Sequence, residues 1–376
     1  MSEYQYYEFL AIDRVLDAAA REQLRVISSR ARITGSSFTN HYEWGDLKAD
    51  PRDMMRRWFD LHVYVANYNA RRFMIRLPRA ALEPSDAAPF LGPLDCVEII
   101  ASGDDVIVDI NLYDFESDDY EDDGSRWMAA LAPLRTDLLD GDLRPFYLLW
   151  LMAVQAELVP DDALEPLPGI GPVTGALDSL ADFLLIDPDL VQAAAERQAA
   201  AVKPSQADLR GQIDALPNSE KIELLLRVVE GDGGVAAELR RRFRNPVARS
   251  DGQRSAASLR ARAGEIAAAR EAIEAAAAEA KRKHRMEQEK SECQLRLKTL
   301  ESRGDAVWKQ VETEIERRNP SGYDAAAALI SDLRALAHQT KQMAAFERHI
   351  AAIRIRHDSK RRFIERLDSL KRQPLI

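Results

Sequence analysis

Apolar and polar residues alternate in short runs over the first third of the chain and recur at helical spacing over the rest. Residues 4–12 (YQYYEFLAI) hold aromatic and aliphatic side chains with no breaker, the pattern of a strand. Asp17 is placed to cap a helix over 18–30, where Leu24 and Ile27 lie one turn apart. SFTNHYEW at 37–44 alternates as a second strand, and Asp50-Pro51 opens another helix. LHVYVANY (61–68) and RRFMIRLP (71–78) predict two strands around a tight turn. DCVEIIAS (95–102) and VIVDINLY (106–113) predict a hairpin around Gly103-Asp104-Asp105. Hairpins at this density predict an antiparallel α+β domain over 1–124.

Beyond Gly124 the period changes. Residues 125–158 read as a helical pair broken near Asp140-Gly141, and the Pro- and Gly-rich stretch 159–175 reads as a linker. A small helical unit is predicted over 176–250, punctuated by Pro188, Pro204, Pro217 and the glycines at 231–234. From 255 to 318 there is no proline, and Leu259, Ile266, Ile273 and Ala280 recur every seven residues. Later, Leu297, Leu300, Gly304, Val307, Val311 and Ile315 follow a three-four spacing, so the stretch predicts a long coiled coil. Gly304-Asp305 is its natural break, with an antiparallel hairpin as the expected result. Residues 323–376 predict C-terminal helices, with Leu329, Ile330, Leu333 and Leu336 on one face. The expected class is α+β followed by an all-α region, mainly α overall.

Charge divides the chain. The net charge is −10, yet residues 1–200 carry 36 acids against 17 bases, and residues 201–376 carry 26 against 35. An acidic half joined to a basic one predicts mutual attraction or charged partners. Two cysteines, Cys96 and Cys293, make no disulfide framework and suit a reducing, cytoplasmic setting. The opening MSEYQYYEFL lacks the regions of a signal peptide. The longest apolar run, Phe146–Val154, is nine residues, against the roughly twenty that cross a membrane.

Motifs with chemistry are few. Ten carboxylates and no base lie between Asp104 and Asp123. Asp119 to Gly124 imitates half of a calcium loop, but Ala130 stands where the bidentate Glu belongs. The tract, with Asp118, Asp119, Glu121, Asp122 and Asp123, reads as a solvated acidic loop or a docking surface for a basic partner, ahead of a weak divalent-cation site. Leu167-Pro-Gly-Ile-Gly-Pro-Val-Thr174 is similar to the phosphate-holding hairpin of helix-hairpin-helix modules, but its neighbours are acidic. No Gly-Lys-Ser/Thr, HExxH or GxSxG occurs. His41, Glu43 and Asp46 are the candidates for a catalytic or metal role, and Tyr42, Trp44, Trp58, Phe59, Tyr64 and Tyr68 for a pocket or a core. The basic runs include Lys281, Arg282, Lys283 and Arg285, then Lys360, Arg361 and Arg362. No residue is assigned to catalysis, a cofactor or a metal.

Tyr6–Arg14 (YYEFLAIDR), Arg30–Thr34 (RARIT) and His41–Pro51 (HYEWGDLKADP) resemble a bacterial family whose members open on YYEFLAxDR and continue with a Trp-Gly-Asp segment. Ala306-Val-Trp308, Tyr323-Asp-Ala-Ala326 and Ser331-Asp-Leu-Arg334 extend the resemblance over most of the chain. It implies a partner with a SWIM-type zinc finger and transfers no activity. The leading expectation is a scaffold protein that assembles through its coiled coil, with another copy or a protein partner. The alternative is a nucleic-acid-associated protein whose C-terminal basic helices contact phosphates in a salt-dependent way. The third is an enzyme working in the N-terminal domain.

Overall fold

Seven strands form one antiparallel sheet in the order β2-β3-β1-β4-β5-β7-β6. They are β1 (Gln5–Leu10), β2 (Arg32–Ile33), β3 (Ser37–Tyr42), β4 (Leu61–Ala66), β5 (Ala70–Pro78), β6 (Val97–Ser102) and β7 (Asp105–Tyr113). The computed structural model describes residues 4–92, 94–113, 122–198, 206–231, 234–243 and 253–372. The β4–β5 turn closes on Asn69 at φ +60° and the β6–β7 turn on Gly103 at φ +64°, a left-handed region that these two residues tolerate. Three helices interrupt the sheet: α1 (Ala18–Ile27), α2 (Pro51–Arg57) and α3 (Pro84–Leu91). Asp17 and Asp50 cap the first two, accepting from the N–H groups of Ala20 and Arg52.

The sheet separates two apolar cores. One face presents Val63, Phe73, Ile75, Val108 and Ile110 to a helical layer. That layer contains α4 (Trp127–Leu131), α5 (Pro133–Leu139), α6 (Arg144–Gln155), α7 (Gly175–Phe183) and α8 (Pro188–Ala195). The other face packs Phe9, Phe38, Met74 and Ile107 against Leu24, Met54, Met55 and Phe59. The stretch read as a linker, 159–175, instead runs through the first core. Leu167 and Ile170 are buried there, and Gly169 and Gly171 press on the backbone of Arg197 and Ala195 so closely that a Cβ would collide. Gly169 and Gly171 thus serve packing. Proline and glycine mark irregular backbone, and irregular backbone can be core when side chains close over it.

Three shorter helices follow, α9 (Gln206–Ala215), α10 (Asn218–Val229) and α11 (Gly234–Arg242). Next comes α12, a continuous helix of 48 residues, Ala256–Arg303. The chain divides into two units at 1–270 and 271–376. In the first unit, Ala256, Leu259, Ala263 and Ile266 of α12 join the core. In the second, α13 (Asp305–Glu316), α14 (Pro320–Gln339), α15 (Met343–Arg356) and α16 (Arg361–Arg372) gather around Val307, Val311, Ile315, Ile330, Ile353 and Phe363. Leu297 and Leu300 of α12 belong to that cluster. Gly304, at φ +51°, separates α12 from α13. From Ala268 to Glu292 every side chain of α12 is exposed. Among the described residues no helix is long and apolar enough to cross a membrane.

Candidate functional site

Strand alternation lines up polar side chains on the α1/α2 face of the sheet. Register places His62, Met74, Asp109 and Glu98 in one cross-strand row, and Tyr7, Tyr64, Arg72 and Asn111 in the next. Asp109, almost fully buried, accepts from Arg72 Nε at 2.8 Å, Arg72 Nη2 at 2.7 Å and Arg52 Nε at 2.7 Å. Burial would raise its pKa, but the two guanidinium groups outweigh burial and hold it below the usual carboxylate range. Arg52 also pairs with Glu98 at 2.9 Å. A cavity of about 280 Å³ opens here, lined by Arg52, Asp95, Cys96, Glu98, Asn111 and Tyr113. Burial and the Asp95 carboxylate push the Cys96 thiol up, so Cys96 is not a ready thiolate nucleophile.

Beside it, His62 stacks on Phe9 with ring centroids 3.9 Å apart, and its Nδ1 lies 3.0 Å from the Glu8 carbonyl oxygen. Its Nε2 is buried with no hydrogen-bond partner, and burial lowers the imidazole pKa to about 3. A ring that stays neutral in this way accepts no proton near neutral pH. Gln5 ties the tyrosines together: its Oε1 accepts from Tyr7 Oη at 2.8 Å and Tyr64 Oη at 3.2 Å, while its Nε2 donates to Asp46 Oδ1 at 3.0 Å. His41 instead meets Tyr4 Oη at 2.9 Å, so His41 and Asp46 turn to different partners. Phe59 and Tyr64 are core residues, and Trp44 is 79% exposed. The cluster neutralises its charges internally, and its chemistry is that of a register lock.

A second buried cluster joins the irregular 159–175 stretch to the start of α12. Glu165, with its side chain wholly buried, accepts from Tyr147 Oη at 2.6 Å and from Arg254 through its backbone N–H at 2.9 Å and its guanidinium at 2.8 Å. Arg254 continues to the carbonyl oxygens of Ala193 and Ala194. Burial and the Glu165 charge raise the Tyr147 phenol well above its ordinary value. The buried groups of this staple pair with one another and with backbone carbonyls, as buried polar groups do in a supporting network.

Of the acidic tract, Asp118, Asp119 and Glu121 lie outside the described residues. Asp122 accepts from Trp127 Nε1 at 2.7 Å and from the Gly124 N–H at 2.9 Å, and faces Arg71 at 3.5 Å. Asp123 accepts from Ser125, whose hydrogen bonds hold its carboxyl below the usual range. Lys281, Arg282, Lys283 and Arg285 are exposed on α12 and fan around it, at 100° per residue. Lys283 and Arg285 reach Glu279 at 2.7 Å and Glu289 at 2.9 Å. Lys360 folds inward, with Nζ 2.7 Å from Glu316 and 3.1 Å from His357 Nδ1. Arg361 and Arg362 are exposed at the start of α16. The basic candidates therefore lie on α12 and at the entry to α16, in different surroundings. Among the described residues no three His, Cys, Asp or Glu side chains gather to hold a metal ion.

The exposed apolar surface carries features that no motif marks. Ile222, Leu225, Leu226 and Val229 of α10 are all more than half exposed, Val229 to 83%. Their spacing of i, i+3, i+4 and i+7 was legible in KIELLLRVV, but the same spacing marks any core-facing helix. In the second unit a cavity of about 580 Å³ is lined by Ile330, Met343, Phe346, Ile350, Leu367 and Leu370. No family model matches the chain, and no curated protein or solved structure matches it.

Proposed function

We propose that this chain is a protein-interaction scaffold that assembles through α12. One observation carries the reading. The seven-residue row that is buried at Leu259 and Ile266 continues to Ile273 and Ala280, where it is bare, with Ile273 70% exposed. An apolar row on an otherwise charged helix gains by meeting a second helix. The alanines at 267–269 and 275–278 let such a partner approach closely. The nucleic-acid reading is the weaker one, because acids interleave with the basic run and pair with two of its members.

Sedimentation of the full chain, with and without Ile273→Glu, tests the proposal. Assembly that falls on substitution, with helicity unchanged, supports it. Assembly and retained proteins that ignore the substitution would sink it. Retention from a host extract that vanishes on nuclease treatment would replace it with the nucleic-acid reading.

A further inference from the structure

We infer that α10 is a self-association surface, on which a second copy of this chain lays its own α10 in parallel. The inference goes beyond the reading of α12 and does not depend on it. The rear of α10 is fixed. Leu224 is buried, Glu220 pairs with Arg242 at 2.7 Å, and Arg227 pairs with Glu238 at 2.8 Å. The α11 helix is anchored in turn. Arg241 donates to the Ala80 carbonyl oxygen at 3.0 Å and pairs with Glu83 at 2.9 Å, while Arg240 pairs with Asp140 at 3.0 Å. The solvent-facing stripe thus belongs to a helix held from behind.

The stripe of Ile222, Leu225, Leu226 and Val229, with Val228 at its edge, exposes on the order of 500 Å² of apolar surface, as much as the largest patches of ordinary monomers. Two copies would bury roughly twice that, the low end for specific association, which suits a dimer of about micromolar affinity.

Charge selects the occupant and its direction. On a wheel of 100° per residue, Lys221 flanks one side of the stripe, and Glu223 and Glu230 flank the other. A two-fold axis along the helices brings Glu223 of each copy beside Lys221 of the other. Antiparallel pairing would instead set Glu223 of one copy against Glu230 of the other, a like-charge contact. The same glutamates repel an anionic bilayer. Among the described residues Lys221 donates to the Asp214 carbonyl oxygen at 3.0 Å, at an exposed position.

Cross-linking of the full chain tests this. Ile222→Cys or Val229→Cys is placed in a Cys96→Ser, Cys293→Ser background that also carries Ile273→Glu, so α10 is read whatever α12 does. Parallel pairing predicts that each single variant forms a disulfide-linked dimer on mild oxidation, and that Leu226→Glu weakens dimerisation at least tenfold by sedimentation. Cross-links that form only when the two cysteine variants are mixed mean antiparallel pairing and overturn the inference. A folded chain that stays monomeric at tens of micromolar, with no cross-link, overturns it as well. Thermal melting of each variant, checked against the parent chain, keeps a folding defect from being read as a lost interface.

Discussion

In residues 4–270 the fold takes charges below the surface and closes them with partners. Asp60, Arg76, Asp109, Arg135, Asp142, Glu165 and Asp189 are all buried there. In residues 271–372 the helices turn their charges outward, and among the described residues His357 is the only buried polar side chain, set 2.9 Å from Glu312. The contrast follows from the elements. A sheet covered on both faces has no outward side, so a polar residue on either face of a strand must find its partner inside. A helix can rotate its polar stripe to water and needs only an apolar seam. The first unit therefore gains register specificity from polar locks, and the second rests on an apolar cluster. The lock at Asp60 shows how far this goes. Its carboxylate accepts the N–H groups of Ile12 and Asp13 at 2.6 and 3.0 Å and Arg76 Nη2 at 2.6 Å. Arg135 then bonds the Arg76 carbonyl oxygen at 2.9 Å, joining α5 to the sheet.

Breaking the Glu165 staple gives the largest expected effect. Arg254→Met removes the closest counter-charge of the buried Glu165 carboxylate, leaving the half-exposed Arg197 guanidinium 3.9 Å away, and is expected to cost about 3–5 kcal/mol in urea unfolding. A loss under about 1 kcal/mol would mean that the site opens to water, and the contrast between the units would shrink.

Acid acts next. The folded-state pKa of His62 lies at about 3, against an ordinary value of 6.5. The unfolded chain therefore binds the extra proton between these values. Stability is full above pH 6.5 and falls as the pH drops through that window, by at most ~1.4 kcal/mol per pH unit. Asp60 and Asp109, both held below their ordinary values, add to the loss at its acidic end. His62→Phe should flatten the upper part of the slope. An unchanged slope in that variant would place the proton uptake elsewhere.

Helix propensity comes third. Ala276→Gly in the exposed part of α12 is expected to cost about 1 kcal/mol, read by hydrogen exchange. A much larger loss, growing with protein concentration, would show that this segment is packed in an assembly.

The smallest effect belongs to Arg285→Met, which removes an ion pair with Glu289 in which both side chains are exposed. Its unfolding midpoint should barely move, and the difference should fade in about 1 M salt. A large, salt-resistant loss would make the second unit as dependent on polar locks as the first.

The antiparallel α+β class was legible because alternation and turn chemistry act locally. Asp17 and Asp50 cap helices where they stand, and Gly103 turns a hairpin wherever it sits. The coiled-coil expectation rested on equally local spacing, yet Leu259 and Ile266 meet the first core while Ile273 meets water. Periodicity names a face and is silent on what covers it. The 159–175 stretch failed for the converse reason: its prolines and glycines spoke of irregular backbone, while burial came from Glu165, Leu167 and Ile170 finding partners far along the chain.

The sequence by itself determined every strand but the two-residue β2, the helix starts at Asp17 and Asp50, the charge division and the alanine-rich helix, because each is settled within a few residues. Only the tertiary structure decided that Glu165 closes on Arg254, that Asp109 is shared by Arg52 and Arg72, and that α10 shows its aliphatic stripe to solvent. Those outcomes depend on which distant segments arrive at one place, and burial and pairing energies are set there.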